Sequence, residues 1–176
     1  MINKTIFLTA LIFILTASAF SQMTLTGDVV DVLDGKTILL SAPTGKVRAE
    51  LQYIEVPEPG QPLRDVVVDH LKQLTLGKRA VYRAQRIFKD RTVGRLLINN
   101  VDISQQMLRD GAAWLVPQNV SGQEQTEMQR YAASESDAKT EKRGVWDVAG
   151  LRSPWEYRAE KQRLEDEKNA TKVKDD

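Results

Sequence analysis

A chain of 176 residues has room for one ordinary domain and short additions, and its formal charge of +1 leaves no bulk field to steer it toward nucleic acid or an acidic partner. Hydrophobic residues make up 41% of it, too few for a multi-span membrane protein. The absence of Cys excludes a disulfide framework and a thiol that could carry a lipid.

The N-terminus reads as a targeting segment. Lys4 supplies a positive start, Ile6 to Leu15 an apolar core, and Ala17-Ser18-Ala19 a small-x-small cleavage signal, which predicts a cleaved signal peptide over 1–19. The apolar run is short for a bilayer span, so cleavage is favoured over an uncleaved anchor. The expectation is an exported protein, periplasmic or secreted, with no stable membrane span and monomeric.

From Thr24 to Ala42 two strands are predicted, broken at Leu33-Asp34-Gly35-Lys36, where Asp-Gly is a hairpin signal. Pro43-Thr44-Gly45-Lys46 makes the next turn and feeds a strand through Arg48 and Glu50. That strand stops in Glu55-Val-Pro-Glu-Pro-Gly-Gln-Pro, because proline cannot donate to a ladder. Three carboxylates, Glu50, Glu55 and Glu58, thus fall near one strand end, where acid–base or metal-assisted chemistry is commonly built. An acidic edge strand with a solvated turn is the alternative.

Pro62 is placed in the first turn of a helix carrying Leu63, Val66, Val67, Leu71 and Leu74, closed by Gly77. Lys78 to Phe88 alternates as a strand, Lys89 to Gly94 turns, and Arg95 to Ile98 returns to a bend at Asn99-Asn100. Asp102 caps a short helix ending at Gly111. Ser121-Gly-Gln-Glu124 is a capping box for a longer helix ended by Gly144. Past Trp155 the charge-dense chain is either a solvated helical extension or a disordered tail. No internal repeat is visible. The expected fold class is α+β, mainly β: a five-stranded OB-fold barrel with about three helices. The domain is expected over 24–158, with a charged tail over 159–176.

Several segments then recur together in order: Val30-Asp-Val-Leu-Asp-Gly-Lys-Thr37, Ile54-Glu-Val-Pro-Glu58, Leu76-Gly-Lys78, Asp90-Arg-Thr-Val-Gly-Arg95, Leu108-Arg-Asp-Gly-Ala-Ala-Trp114, Arg143-Gly-Val-Trp146 and Ser153-Pro-Trp155. From about Leu25 to Arg158 the chain resembles the staphylococcal-nuclease-like (thermonuclease) family. That resemblance implies the OB barrel and, for active members, Ca²⁺-dependent phosphodiester cleavage of DNA and RNA.

Carried across residue by residue, the resemblance implies that Glu58 matches the water-activating glutamate and Arg95 a phosphate-binding arginine. Glu55 matches one metal carboxylate, and the Val56 carbonyl could still serve the ion, with Asp34 beside it. Two positions depart. Lys36 stands where the family has a metal-ligating Asp, and Glu50 stands where it has the second arginine. Ca²⁺ takes hard oxygen ligands, so an ammonium in that place makes the ion doubtful as a cofactor. Lys36 either pairs internally with Glu55 or Asp34, or points to solvent from its turn. The solvent-facing orientation is favoured by a narrow margin. Glu50 puts negative charge where phosphoryl transfer wants positive charge. Arg48, two residues earlier on the same strand face, starts about 6.5 Å further down and could cover part of the gap as a substitute, although pairing with Glu50 is its expected role.

His70 reads as structural or surface, and Trp114, Trp146 and Trp155 as anchors of helices on the barrel. Lys78, Arg79, Arg83, Arg86, Lys89 and Arg91, with few aromatics between them, either track a phosphate backbone or form a solvated face. The functions carried forward are a catalytically impaired binding module for nucleic acid, single-stranded DNA or RNA, or for a protein partner, and an active nuclease with a rearranged site.

Overall fold

The structure, a computed structural model, describes residues 23–116 and 123–175. The expected signal peptide and the Ser121-Gly122 half of the expected capping box lie outside them. The long strands are β1 (Thr24–Val32), β2 (Thr37–Ala42) and β3 (Gly45–Leu51), then β5 (Arg79–Ile87) and β6 (Thr92–Ile98). Between and after them come β4 (Ile54–Glu55), α1 (Arg64–Thr75), β7 (Val101–Asp102), α2 (Ile103–Arg109), β8 (Trp114–Leu115), α3 (Gln123–Thr140), a 3-10 turn at Gly144–Trp146 and α4 (Pro154–Asp175).

Period-two alternation turns Ile38, Leu40, Ala49, Leu51, Ala80, Tyr82, Leu96 and Ile98 inward, where they are buried. The ladder runs β3-β2-β1-β5-β6, and a parallel pairing of β3 with β6 (Ala49 with Thr92, Leu51 with Gly94) closes it into a barrel. The five-stranded OB-type barrel is therefore present, mainly β, with four helices among the described residues because the charged C-terminal stretch is helical. α1 covers the barrel through Val67 and Leu71, and α2 through Ile103, Met107 and Leu108.

Some boundaries differ from the sequence reading. Pro62 precedes α1, because Leu63 takes a left-handed conformation (φ 64°) as its cap. The loop before it is closed instead by Glu58 and Gln61: the Gln61 backbone N–H donates to the Glu58 carbonyl (2.9 Å), and the Glu58 N–H donates to Gln61 Oε1 (2.8 Å). β6 starts at Thr92 rather than Arg95, since Thr92 and Val93 are buried and Gly94 pairs with Ala84. A Cβ on Gly94 would sit 2.2 Å from the Arg83 carbonyl oxygen, so β5 and β6 approach only because that side chain is missing. A bulge at Gln85 shifts the register just beyond.

Asp102 does cap α2, accepting from the Gln105 N–H. Trp114 is buried and meets Trp146 edge-on at 5.9 Å. Trp155 is 40% exposed and does not serve as an anchor; its neighbour Pro154 is the buried residue at the start of α4. α4 runs through Asp175 with no break at 158–159. His70 Nε2 lies 2.8 Å from Asp110, tying α1 to the end of α2, a structural role. Among the described residues no helix is long and apolar enough to cross a membrane.

Candidate functional site

The β1–β2 turn is set by Asp34, whose Oδ1 accepts the backbone N–H groups of Lys36 and Thr37 at 2.8 Å each. Its carboxylate is thereby committed to the turn. β2 then pairs with β3 so that Thr37 faces Glu50. Lys36 Nζ ends 3.0 Å from Glu50 and 3.2 Å from Glu55, so the favoured solvent-facing orientation is overturned. Two half-buried carboxylates outcompete water for the ammonium. Burial alone would lower the Lys36 pKa, but the attraction of Glu55 and Glu50 outweighs it and holds the group above its ordinary value.

Glu50 has a second cation, with Arg91 Nε 2.7 Å from its other oxygen. The expected Arg48–Glu50 pair does not form. Arg48 is exposed and has no ion pair among the described residues, because Arg91 arrives across the β3–β6 pairing and takes the free carboxylate oxygen. At the other end, Arg158 of α4 pairs with Glu58 and lies 3.7 Å from Glu55. The three carboxylates therefore sit in one alternating chain, Arg91–Glu50–Lys36–Glu55–Arg158–Glu58.

Arg95 belongs to a separate network. Its Nε lies 3.1 Å from Asp102 without hydrogen-bond alignment, and its Nη2 pairs with Glu127 of α3. Asp102 also accepts the Tyr131 hydroxyl at 2.5 Å. Burial raises the Asp102 pKa, and the Tyr131 hydrogen bond and the Arg95 charge offset this only in part. The guanidinium that the resemblance assigned to phosphate is thus held by acids at the N-cap of α2 and on α3.

The basic set divides. Lys78 donates to the Gln73 and Leu74 carbonyls at 2.9 Å each, closing α1. Arg79 pairs loosely with Asp28 (3.3 Å), and Arg91 stacks over Phe88 at 4.6 Å while holding Glu50. Arg83, Arg86 and Lys89 are exposed and have no ion pair among the described residues.

A calcium ion needs six to eight oxygens, several of them charged. Here an ammonium lies between Glu50 and Glu55, Asp34 is spent on its turn, and Val56 is buried in the core. Among the described residues no group of three or more His, Asp or Glu is placed to hold a metal ion. The residues present do not fit the family's ion. Sequence reasoning missed Arg158, Glu127 and Tyr131, which reach the site from helices far along the chain.

Residues 48–148 match the family of staphylococcal nuclease homologues. The chain belongs to that family. An Escherichia coli O157:H7 protein called an uncharacterized endonuclease is 33% identical over 137 residues, 77% of this chain and 86% of its own. A probable endonuclease of Komagataella phaffii is 32% identical over 124 residues, 64% of this chain and 54% of its own. A micrococcal nuclease of Shigella flexneri is 25% identical over 159 residues, 85% of this chain and 88% of its own. In this nuclease homologue Glu55 and Glu58 are both paired with the chain's own cations, Lys36 and Arg158.

Proposed function

We propose that this staphylococcal nuclease homologue is an exported binding module for nucleic acid, without efficient Ca²⁺-dependent phosphodiester cleavage. The observation that carries the reading is Lys36, whose ammonium lies between Glu50 and Glu55 at 3.0 and 3.2 Å and stands in for the cation the two acids would share. Cleavage also wants preorganised positive charge on the transferring phosphoryl, and losing one such donor costs ~10²–10³ in rate. Glu50 occupies one of the two arginine positions, and Arg95 at the other is engaged with Asp102 and Glu127. Nucleic acid is favoured over a protein as ligand because the relatives are named nucleases and Arg83, Arg86 and Lys89 are exposed cations without an acidic partner among the described residues.

The test is incubation of the mature protein with single-stranded DNA and RNA under Ca²⁺, Mg²⁺ or chelator, beside a Glu58→Ala/Arg95→Ala control. Binding without cleavage is expected. Metal-dependent cleavage that vanishes in the control would establish the rearranged-nuclease alternative instead. Lys36→Asp with Glu50→Arg is expected to create Ca²⁺ binding, read as a rise in Tm with added ion that the natural sequence does not show.

A further inference from the structure

On the outer face of the barrel, away from the carboxylate chain, β5, β6 and the β6–β7 turn enclose a cleft of about 280 Å³. Its floor is the cross-strand pair Val81 and Leu97, both half-buried. Arg79 and Arg83 flank Val81 along β5, and Asn99 and Asn100 complete the lining beyond Leu97. The two asparagines form the turn itself with φ of 50° and 65°, the left-handed pair that a two-residue hairpin turn requires. None of the hydrogen bonds found among the described residues uses their side-chain amides, so both are free to donate and accept. Arg83 likewise has no acidic partner among the described residues, and the Arg79–Asp28 pair is more than half exposed on both sides.

We propose that this cleft holds one nucleotide of a single-stranded nucleic acid, a deepening that rests on the nucleic-acid reading above. The chemistry of the lining divides as a nucleotide does. An apolar floor suits the flat face of a base, amides with both donor and acceptor suit its edge, and two guanidiniums suit a phosphate. Arg86 follows Arg83 on β5 and Lys89 stands in the turn beyond it, so exposed cations extend from the cleft toward that end of the strand, as suits a polyanion. A planar lipid surface would be met by cations ringing one tip, whereas these recede along the strand. The opening also selects strandedness. A base inside a duplex must first be unpaired and unstacked, and a base in a single strand need not be.

The experiment uses the mature chain, a labelled mixed-sequence single-stranded oligonucleotide and the same sequence as a duplex, with affinities measured over a range of salt. Asn99→Gly/Asn100→Gly removes both amides and keeps the left-handed turn, so the fold is retained, with thermal melting as the check. It is expected to weaken single-strand binding about tenfold, as for one or two lost hydrogen bonds, while leaving the salt slope and the duplex affinity unchanged. Arg79→Ala/Arg83→Ala is expected to reduce the single-strand salt slope by about 1. A nucleoside monophosphate is expected to shift the Asn99 and Asn100 side-chain amide resonances, and Arg86→Ala/Lys89→Ala to leave those shifts in place. If single strands bind but the asparagine variant binds them equally well, the cleft assignment is overturned and the nucleic-acid reading stands. If neither oligonucleotide binds at low salt, both are overturned.

Discussion

The carboxylate chain and the outer face of β5 hold charge in opposite ways. Along Arg91–Glu50–Lys36–Glu55–Arg158–Glu58 every acid has a cation within the protein, drawn from the β1–β2 turn, the β5–β6 turn and α4. Along β5, Arg83 and Arg86 have no partner among the described residues, and Lys89 at the turn is equally open. A closed set of charges has its field cancelled at short range and little left for a ligand. An open set keeps its field and surrenders only solvent and counterions when an anion arrives. The carboxylate chain is therefore closed on itself, whereas the outer face of β5 keeps cations open to an incoming anion.

The most severe break of that contrast is to reverse the open set. Arg83→Glu/Arg86→Glu/Lys89→Glu is expected to lower single-strand affinity by on the order of 10²-fold and the log–log salt slope by about 2, measured by fluorescence anisotropy. An unchanged slope would place the phosphate contacts elsewhere. Breaking the closed set acts on stability instead. Lys36→Met leaves Glu50 and Glu55 with only Arg91 and Arg158, and at this partial exposure should cost about 1–2 kcal/mol, or a Tm fall of about 3–6 °C. Oligonucleotide binding should be unaltered by it, and a rise in affinity would mean that the two regions are coupled.

The smallest effect sharpens the comparison from a third place. Burial pushes the Asp110 carboxyl up, but hydrogen bonds from His70 and Gln106 and the nearby positive charges hold it below its ordinary value. The unfolded chain therefore takes up this proton first as pH falls. The stability it contributes is present above about pH 4 and is lost as pH falls through the lowered native value. Asp110→Asn should be less stable than the natural chain by under about 1 kcal/mol at pH 6, with the gap shrinking toward pH 3 in urea titrations. A gap independent of pH would show that the carboxylate is not the group involved.

Local pattern was enough to place the strands, the Asp34-Gly35 turn, α1 and the Asp102 cap, because each rests on neighbours within a few positions. The charge pairing was not legible in the same way. Lys36 reaches Glu50 only through the β2–β3 register, and Arg91 reaches it only through barrel closure. Arg158 meets Glu58 across 100 positions, and Glu127 meets Arg95 from α3. Arg48 was expected to pair with Glu50 because the strand places the two on one face, but Arg91, brought in by the β3–β6 pairing, is the better-placed guanidinium. A count of acids and bases within the matched motifs would have signalled that cations were needed, without saying from where.

The β3–β6 pairing also has a kinetic meaning. It joins Ala49 to Thr92 and Leu51 to Gly94, positions separated by the whole of α1 and β5. The search for that contact carries a large loop-closure entropy, so it belongs to the late, slow part of assembly. Glu50 sits on the strand that closes and holds one cation from each side of the event: Lys36 from the neighbouring hairpin, available early, and Arg91 from the far side of the seam. Its two oxygens thus record the two kinds of contact, one held by a cation local to its own hairpin and the other by a cation that only barrel closure brings near.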